Sequence, residues 1–110
     1  MTSAHQKKLI NNVALITGAT RGIGKAGAAA YVREGARVFI CARNQLDLAA
    51  TVRELRYDST DAQVDGCAGD VGKETDVCRI VDAVLERFQM IDTLVNNASL
   101  LGPRVALVQY

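Results

Sequence analysis

Short apolar runs alternate along this chain with longer segments whose apolar residues recur every three or four positions. The short runs are typical of β-strands that are covered on both faces. The longer segments are typical of helices that pack one side against a sheet. The order βαβαβαβ predicts an α/β fold. Right-handed crossovers place its strands in the order 3-2-1-4 of a doubly wound, Rossmann-like parallel sheet.

The bounds of the predicted elements follow from the apolar pattern and from residues that favour helix ends. The strands are predicted at residues 13–16, 37–41, 63–68 and 93–97. Helices are predicted at residues 22–34, from the capping residue Asn44 onward, and at Glu74–Phe88, with a loop at residues 56–61. Gly35 is well placed to end the first helix in a left-handed conformation. We expect Gly27, inside that helix, to allow the helix to pack closely against the sheet.

Composition and charge narrow the class of protein. The 110 residues suffice for one domain, with 49% hydrophobic and 23% charged residues. A net charge of +1 gives no electrostatic reason to expect a nucleic-acid or membrane partner. No apolar run approaches the roughly 18 residues of a membrane span, and residues 1–12 look like a flexible lead rather than a signal peptide. We therefore expect a cytoplasmic protein.

The three cysteines, Cys41, Cys67 and Cys78, lack the spacing of a metal site or a disulfide framework. We expect them to be small buried side chains in a reducing compartment, and we predict no metal site.

A glycine-rich turn, TGATRGIG at residues 17–24, separates the first strand from the first helix. The free amide groups at a helix N-terminus carry partial positive charge, so this geometry predicts a bound phosphate. A P-loop is excluded because Gly18 and Gly24 are one residue too far apart and Ala26 stands where Ser or Thr would bind magnesium. The spacing is GxxxGxG and therefore also differs from the common dinucleotide pattern GxGxxG.

Two further motifs lie where predicted strands end. Asp70-Val71 follows the third strand, and Asn96-Asn97-Ala98-Ser99 ends the fourth. The carboxyl ends of parallel strands meet at the edge where ligands bind in open α/β sheets. Two alternatives stay open: Asp70 could cap the third helix, and the asparagine side chains could only position the backbone.

These three motifs, in this order, resemble those of the short-chain dehydrogenase/reductase family over residues 13–101. Asp92, four residues before Asn96, is similar to the start of the family's DxLVNNAG segment, whereas Ser99 stands where the family usually has glycine. Residues 37–43 look most like the ketoreductases of aromatic polyketide synthesis. The resemblance implies that the following residues contact the cofactor: Gly18, Ala19, Thr20, Arg21, Gly22, Ile23, Gly24, Arg43, Asp70, Val71, Asn97, Ala98 and Ser99.

The residues after the second strand favour NADP(H) as the cofactor. NAD-selective sites usually have an acidic residue there, whereas this chain has Arg43, and the nearest acid, Asp47, lies inside the second helix. Arg43 and Arg21 can both meet a 2′-phosphate as permanently charged forks. The alternative is that both arginines are ordinary solvated surface charges.

The resemblance also implies a reaction, the NADPH-dependent reduction of a small carbonyl substrate or its reverse. The family uses a serine, a tyrosine and a lysine four residues after the tyrosine. The chain reaches Tyr110 without that pattern, so we assign no catalytic residue. We expect a sheet truncated after strand 4 and an atypical tail at residues 102–110, with a C-terminal half needed for turnover. The alternative is a catalytically inactive module that binds the cofactor or associates with a full-length relative.

Overall fold

The chain folds as alternating strands and helices in a computed structural model that describes residues 7–59 and 61–97. The elements are β1 (Val13–Thr17), α1 (Gly22–Arg33), β2 (Arg37–Ala42), α2 (Gln45–Tyr57), β3 (Val64–Ala68), α3 (Glu74–Phe88) and β4 (Thr93–Asn96). The strands are parallel, and their order in the sheet is β3-β2-β1-β4. The predicted α/β class and strand order are confirmed.

Strand β1 lies inside the sheet, and all five of its residues are buried. Ala14 pairs with Val38 of β2 on one side and with Thr93 of β4 on the other. The chain therefore leaves β1 in one direction for β2 and β3, and later returns to its opposite side as β4. That reversal of direction opens a crevice at the carboxyl ends of β1 and β4.

Successive strand residues point to opposite faces of the sheet, and each face has its own apolar core. Ile16 and its neighbours pack with buried residues of α1 and α2, namely Ala28, Val32, Leu48 and Leu55. Leu15 and Phe39 pack on the other face with the buried residues of α3, namely Ile80, Val84 and Phe88. The Phe39 and Phe88 rings meet edge to face, with centroids 6.5 Å apart. Burial on both faces explains why β1 up to Ile16 and the centre of β2 are apolar.

Helix ends follow the predicted capping residues. The Asn44 side chain accepts a hydrogen bond from the Asp47 amide at 2.9 Å, which caps α2. Gly35 follows α1 with a φ of 92°. Both predictions are confirmed.

The start of the described chain and the approach to β4 are fixed at the amino edge of the sheet. The Leu9 amide donates to the Glu34 carbonyl at 2.8 Å. The Val13 amide donates to the Asp92 carboxylate at 2.8 Å, and the Asp92 amide donates back to the Val13 carbonyl at the same distance. Asp92 therefore joins β4 to β1 at the edge opposite the crevice. No helix in the described ranges combines the length and the apolar character that crossing a membrane requires.

Three sequence expectations are wrong. Helix α2 runs to Tyr57, into the predicted loop at residues 56–61, because Arg56 donates to the Val64 carbonyl at 2.8 Å and holds the last turn against β3. A β-carbon on Gly27 would meet no atom within 4 Å, so this glycine does not serve close packing. Cys41 is buried, but Cys67 is only half-buried and Cys78, on α3, is exposed.

Candidate functional site

The crevice is built from the segments that follow β1 and β4. Thr17, the last residue of β1, pairs in register with Asn96, the last residue of β4. The glycine turn therefore leaves the sheet beside Asn97. Two of the three predicted motifs lie next to each other at this edge.

The Thr17 side chain joins the two strands across the crevice floor. Its hydroxyl donates to the Asn96 side-chain oxygen at 3.0 Å and accepts from the Asn97 amide at 2.9 Å. Thr17 itself is only 4% exposed, although its partner Asn96 is exposed. Thr17 is a site residue that was not predicted, although a hydroxyl at the end of an otherwise apolar strand was a signal for it.

The glycine turn packs tightly against Asn97. Gly18 and Gly22 have φ values of 62° and 54°, which side chains other than glycine rarely adopt. A β-carbon on Gly24 would overlap the Gly18 carbonyl and lie 2.5 Å from the Asn97 side-chain nitrogen. That nitrogen donates to the Gly18 carbonyl at 3.2 Å. The Asn97 side chain therefore positions the backbone of the glycine turn, as the alternative interpretation of the asparagines predicted.

The N-terminus of α1 opens towards this edge. Arg21 occupies the N-cap position in an extended conformation, its side chain forms no capping bond, and the first turn contains no acidic residue. The first-turn amides therefore keep their partial positive charge for an anion. Ala19 is fully buried, and Thr20 is half-buried. Ile23 is 83% exposed and presents an apolar surface beside the turn.

The Asp70-Val71 segment follows β3 at the same edge. The Asp70 carboxylate accepts from the Gly72 amide at 2.8 Å, whereas the N-cap residue of α3 is Lys73, which has no side-chain capping bond. The interpretation of Asp70 as the cap of the third helix is therefore wrong. Val71 is half-buried and packs against the core beside α3.

A small polar network holds this segment on α3. The Asp76 carboxylate accepts from the Asp70 amide at 2.9 Å, and the Arg79 guanidinium lies 3.4 Å from Asp76. Arg79 also donates to the Ala68 carbonyl at 3.0 Å. The bond from the Asp70 amide, with the nearby Arg79, lowers the pKa of Asp76 below its ordinary value. Asp76 therefore stays ionised at neutral pH and fixes the backbone at Asp70.

The two arginines lie at the starts of neighbouring helices. Arg43 is exposed between the end of β2 and the cap of α2. The Arg21 guanidinium reaches across to α2, where it lies 3.8 Å from the Asp47 carboxylate. The sequence indicates Asp47 only as the nearest acidic residue, because an ion pair between helices depends on the tertiary fold.

The thiols near this edge are not poised as nucleophiles. Cys41 and Cys67 are paired neighbours on β2 and β3. Burial raises the pKa of Cys41 to about 12 and also raises that of Cys67. Within the described residues, no three His, Cys, Asp or Glu side chains are grouped to hold a metal ion. Ala98 and Ser99, which were predicted to contact the cofactor, lie outside the described residues.

The sequence model of the family described as short chain dehydrogenase matches residues 12–108. The chain belongs to this family. A protein of Streptomyces violaceoruber assigned as ketoacyl reductase 1 of the granaticin polyketide synthase is 47% identical over 90 residues, which are 82% of this chain and 32% of that protein. Sorbitol dehydrogenase of Cereibacter sphaeroides is 42% identical over 104 residues, 93% of this chain and 39% of that protein.

Solved structures with NADPH share the fold. The actinorhodin polyketide ketoreductase variant F189W with NADPH is 44% identical with a TM-score of 0.77, over 83% of this chain and 34% of that one. L-sorbose reductase of Gluconobacter frateurii with NADPH and L-sorbose is 33% identical with a TM-score of 0.81, over 87% of this chain and 36% of that one. The predicted resemblance, including that to polyketide ketoreductases, is confirmed. The chain spans about a third of the length of these relatives.

Proposed function

We propose that the chain binds NADP(H) in the crevice at the carboxyl ends of β1 and β4, as the cofactor-binding part of an oxidoreductase acting on a carbonyl or alcohol. The observation that carries this proposal is the placement of two arginines beside the glycine turn. Arg21 and Arg43 lie at the starts of α1 and α2, on the same edge as the turn. A 2′-phosphate is the part of NADP(H) that such a pair would recognise.

The described residues fit the other parts of the cofactor. The uncapped first turn of α1, which Gly24 holds close to the Gly18 carbonyl, would hold the pyrophosphate. The Asp70-Val71 segment would face the adenine, and Asn97 would face the nicotinamide side. When bound, NADPH supplies a hydride for carbonyl reduction; the residues of this chain bind and orient it.

Three of the solved structures similar to this chain contain NADPH, which favours NADP(H) over NAD(H) here. The described residues supply only the cofactor side of the reaction. Tyr31 lies in the last turn of α1 and Tyr57 ends α2, at helix ends that point to the amino edge of the sheet. Neither tyrosine is followed by a lysine four residues later. Proton transfer to a substrate would therefore use groups outside the described part of the chain.

A titration of the purified chain with NADPH and with NADH, followed by cofactor fluorescence, tests the proposal. Charge-assisted hydrogen bonds contribute about 1.5–3 kcal/mol each, so two of them predict that NADPH binds more tightly than NADH by on the order of 100-fold or more. Arg43→Asp should remove most of that preference and leave NADH binding nearly unchanged. Arg53→Asp, which makes the same charge change on an exposed position of α2, is the control. Equal losses for both cofactors in Arg43→Asp, or no binding by the wild-type chain, would contradict the proposal.

A further inference from the structure

One acidic side chain lies beside the pair of arginines. The Asp47 carboxylate is 3.8 Å from the Arg21 guanidinium, and Asp47 is the third residue of α2, four positions after Arg43. Its position is fixed by its own backbone: the amide bonds to Asn44 at 2.9 Å, and the carbonyl accepts from Thr51 at 2.9 Å. Asp47 therefore stays close to the place where Arg21 would meet a phosphate.

The pair between Arg21 and Asp47 is easily opened. The two side chains are 83% and 48% exposed, and their separation is near the upper limit for an ion pair. Exposed pairs of this kind are worth little because water and salt screen them. A phosphate monoester carries a charge of about −1.5 to −2 at neutral pH, so it competes well for the same guanidinium.

We propose that Asp47 is a specificity-determining residue that lowers the preference for the phosphorylated cofactor by holding Arg21 in the unliganded chain. A 2′-phosphate has to take Arg21 away from Asp47, whereas a cofactor with a free 2′-hydroxyl leaves the pair in place. This inference rests on the proposed binding of NADP(H). It assigns to Asp47 an effect opposite to that of the two arginines.

Asp47 also stabilises the helix in which it lies. A negative charge in the first turn stabilises a helix by interacting with its dipole, and Asp47 is the acidic residue in the first turn of α2. The same carboxylate therefore supports the helix and opposes the phosphate. Replacing Asp47 should slightly lower the stability of the chain and tighten its binding of NADPH.

The test compares Asp47→Asn with Glu54→Gln. Glu54 forms the other ion pair between these helices, to Lys25 at 2.5 Å, and lies seven residues further along α2, about 10 Å from Asp47 along the helix. Both substitutions remove one negative charge and one pair between α1 and α2. In Asp47→Asn, the Kd for NADPH should fall about two- to fivefold, as expected for release of an exposed ion pair, while the Kd for NADH stays unchanged. Glu54→Gln should change neither value.

Two further measurements isolate the role of Arg21 and of the phosphate. In an Arg21→Gln background, Asp47→Asn should change the Kd for NADPH by less than about twofold, because the residue through which Asp47 acts is gone. Competition by 2′,5′-ADP should improve in Asp47→Asn, and competition by 5′-AMP should not. Thermal unfolding of each variant confirms that the folded chain is being measured.

The outcomes separate the inference from the proposed function. If the wild-type chain binds NADPH selectively, any of three results would overturn the role of Asp47 alone. Asp47→Asn could leave the Kd for NADPH unchanged, or it could lower the Kd for NADH by the same factor. Its effect on the Kd for NADPH could also be undiminished in the Arg21→Gln background. If the wild-type chain binds neither cofactor, both fall together.

Discussion

Two of the three glycines in α1, Gly24 and Gly27, predict opposite results for the same substitution. Gly27→Ala places a methyl group where no atom lies within 4 Å, so it causes no steric clash. The higher helix propensity of alanine and the smaller conformational freedom of the unfolded chain should then both stabilise the fold. We expect this variant to be more stable by about 0.4–1 kcal/mol. For a domain of this size that corresponds to a rise of roughly 2–4 °C in the unfolding temperature.

Gly24→Ala places the same methyl group against the Gly18 carbonyl and 2.5 Å from the Asn97 side-chain nitrogen. The carbonyl belongs to the backbone and cannot rotate away, so the turn has to shift. Overpacking costs about 1–3 kcal/mol, and the hydrogen bond from Asn97 to Gly18, worth about 1 kcal/mol, is strained as well. After the helix gain of about 1 kcal/mol, the net loss is about 1–3 kcal/mol.

Urea unfolding followed by circular dichroism measures both variants against the wild type. The difference between Gly24→Ala and Gly27→Ala should reach about 2–4 kcal/mol, with the wild type between them. NADPH titration should show weakened binding in Gly24→Ala alone. A Gly24→Ala chain at least as stable as the wild type would refute the argument, because it would mean that the close approach of α1 to the ends of β1 and β4 is not required.

Two other predictions follow from groups in or near the crevice. Thr17→Val removes the hydroxyl that lies between the Asn96 side chain and the Asn97 amide. This variant should lower the free energy of unfolding by about 1–3 kcal/mol and speed hydrogen exchange at the Asn97 amide. An unchanged urea midpoint would contradict this prediction. The Cys41 thiol keeps its proton in the folded chain up to about pH 12, whereas the unfolded thiol loses it near its ordinary pKa of 9.0. Because the unfolded state then binds fewer protons, stability should fall by about 1.4 kcal/mol per pH unit between about pH 9 and pH 12, measured as the difference between the wild type and Cys41→Ala. Parallel pH profiles of these two proteins would be the contrary result.

The sequence predicts most of the fold because apolar pattern and burial coincide in it. Strand β1 is apolar up to its last residue, Thr17, and is buried on both faces, and Asn44 and Gly35 mark helix ends that the structure confirms. The end of α2 was mispredicted because its last turn is held by a tertiary bond from Arg56 to β3, which no local pattern reveals.

The candidate site is predictable in its motifs but not in its contacts. The glycine turn and Asp70 were found from spacing, and the structure places them on one edge of the sheet. The roles of Thr17 and Asp47 depend on side chains that meet across more than 20 residues of sequence, so spacing alone could not assign them. Gly24 belongs to the glycine-turn motif and Gly27 does not, but only the structure shows that a β-carbon has no room at Gly24 and has room at Gly27.

The reversal of chain direction at β1 also bears on the order in which the molecule assembles. Ala14 pairs with Val38, which is close to it in sequence, and with Thr93, which is separated from it by most of the described chain. Closing the longer loop costs about 1 kcal/mol more in chain entropy, and such distant pairings form slowly. We therefore expect β4 to join last, after β1, β2 and β3 have folded with their helices. The crevice comes into existence only at that step, so a ligand that binds there would report the completion of folding.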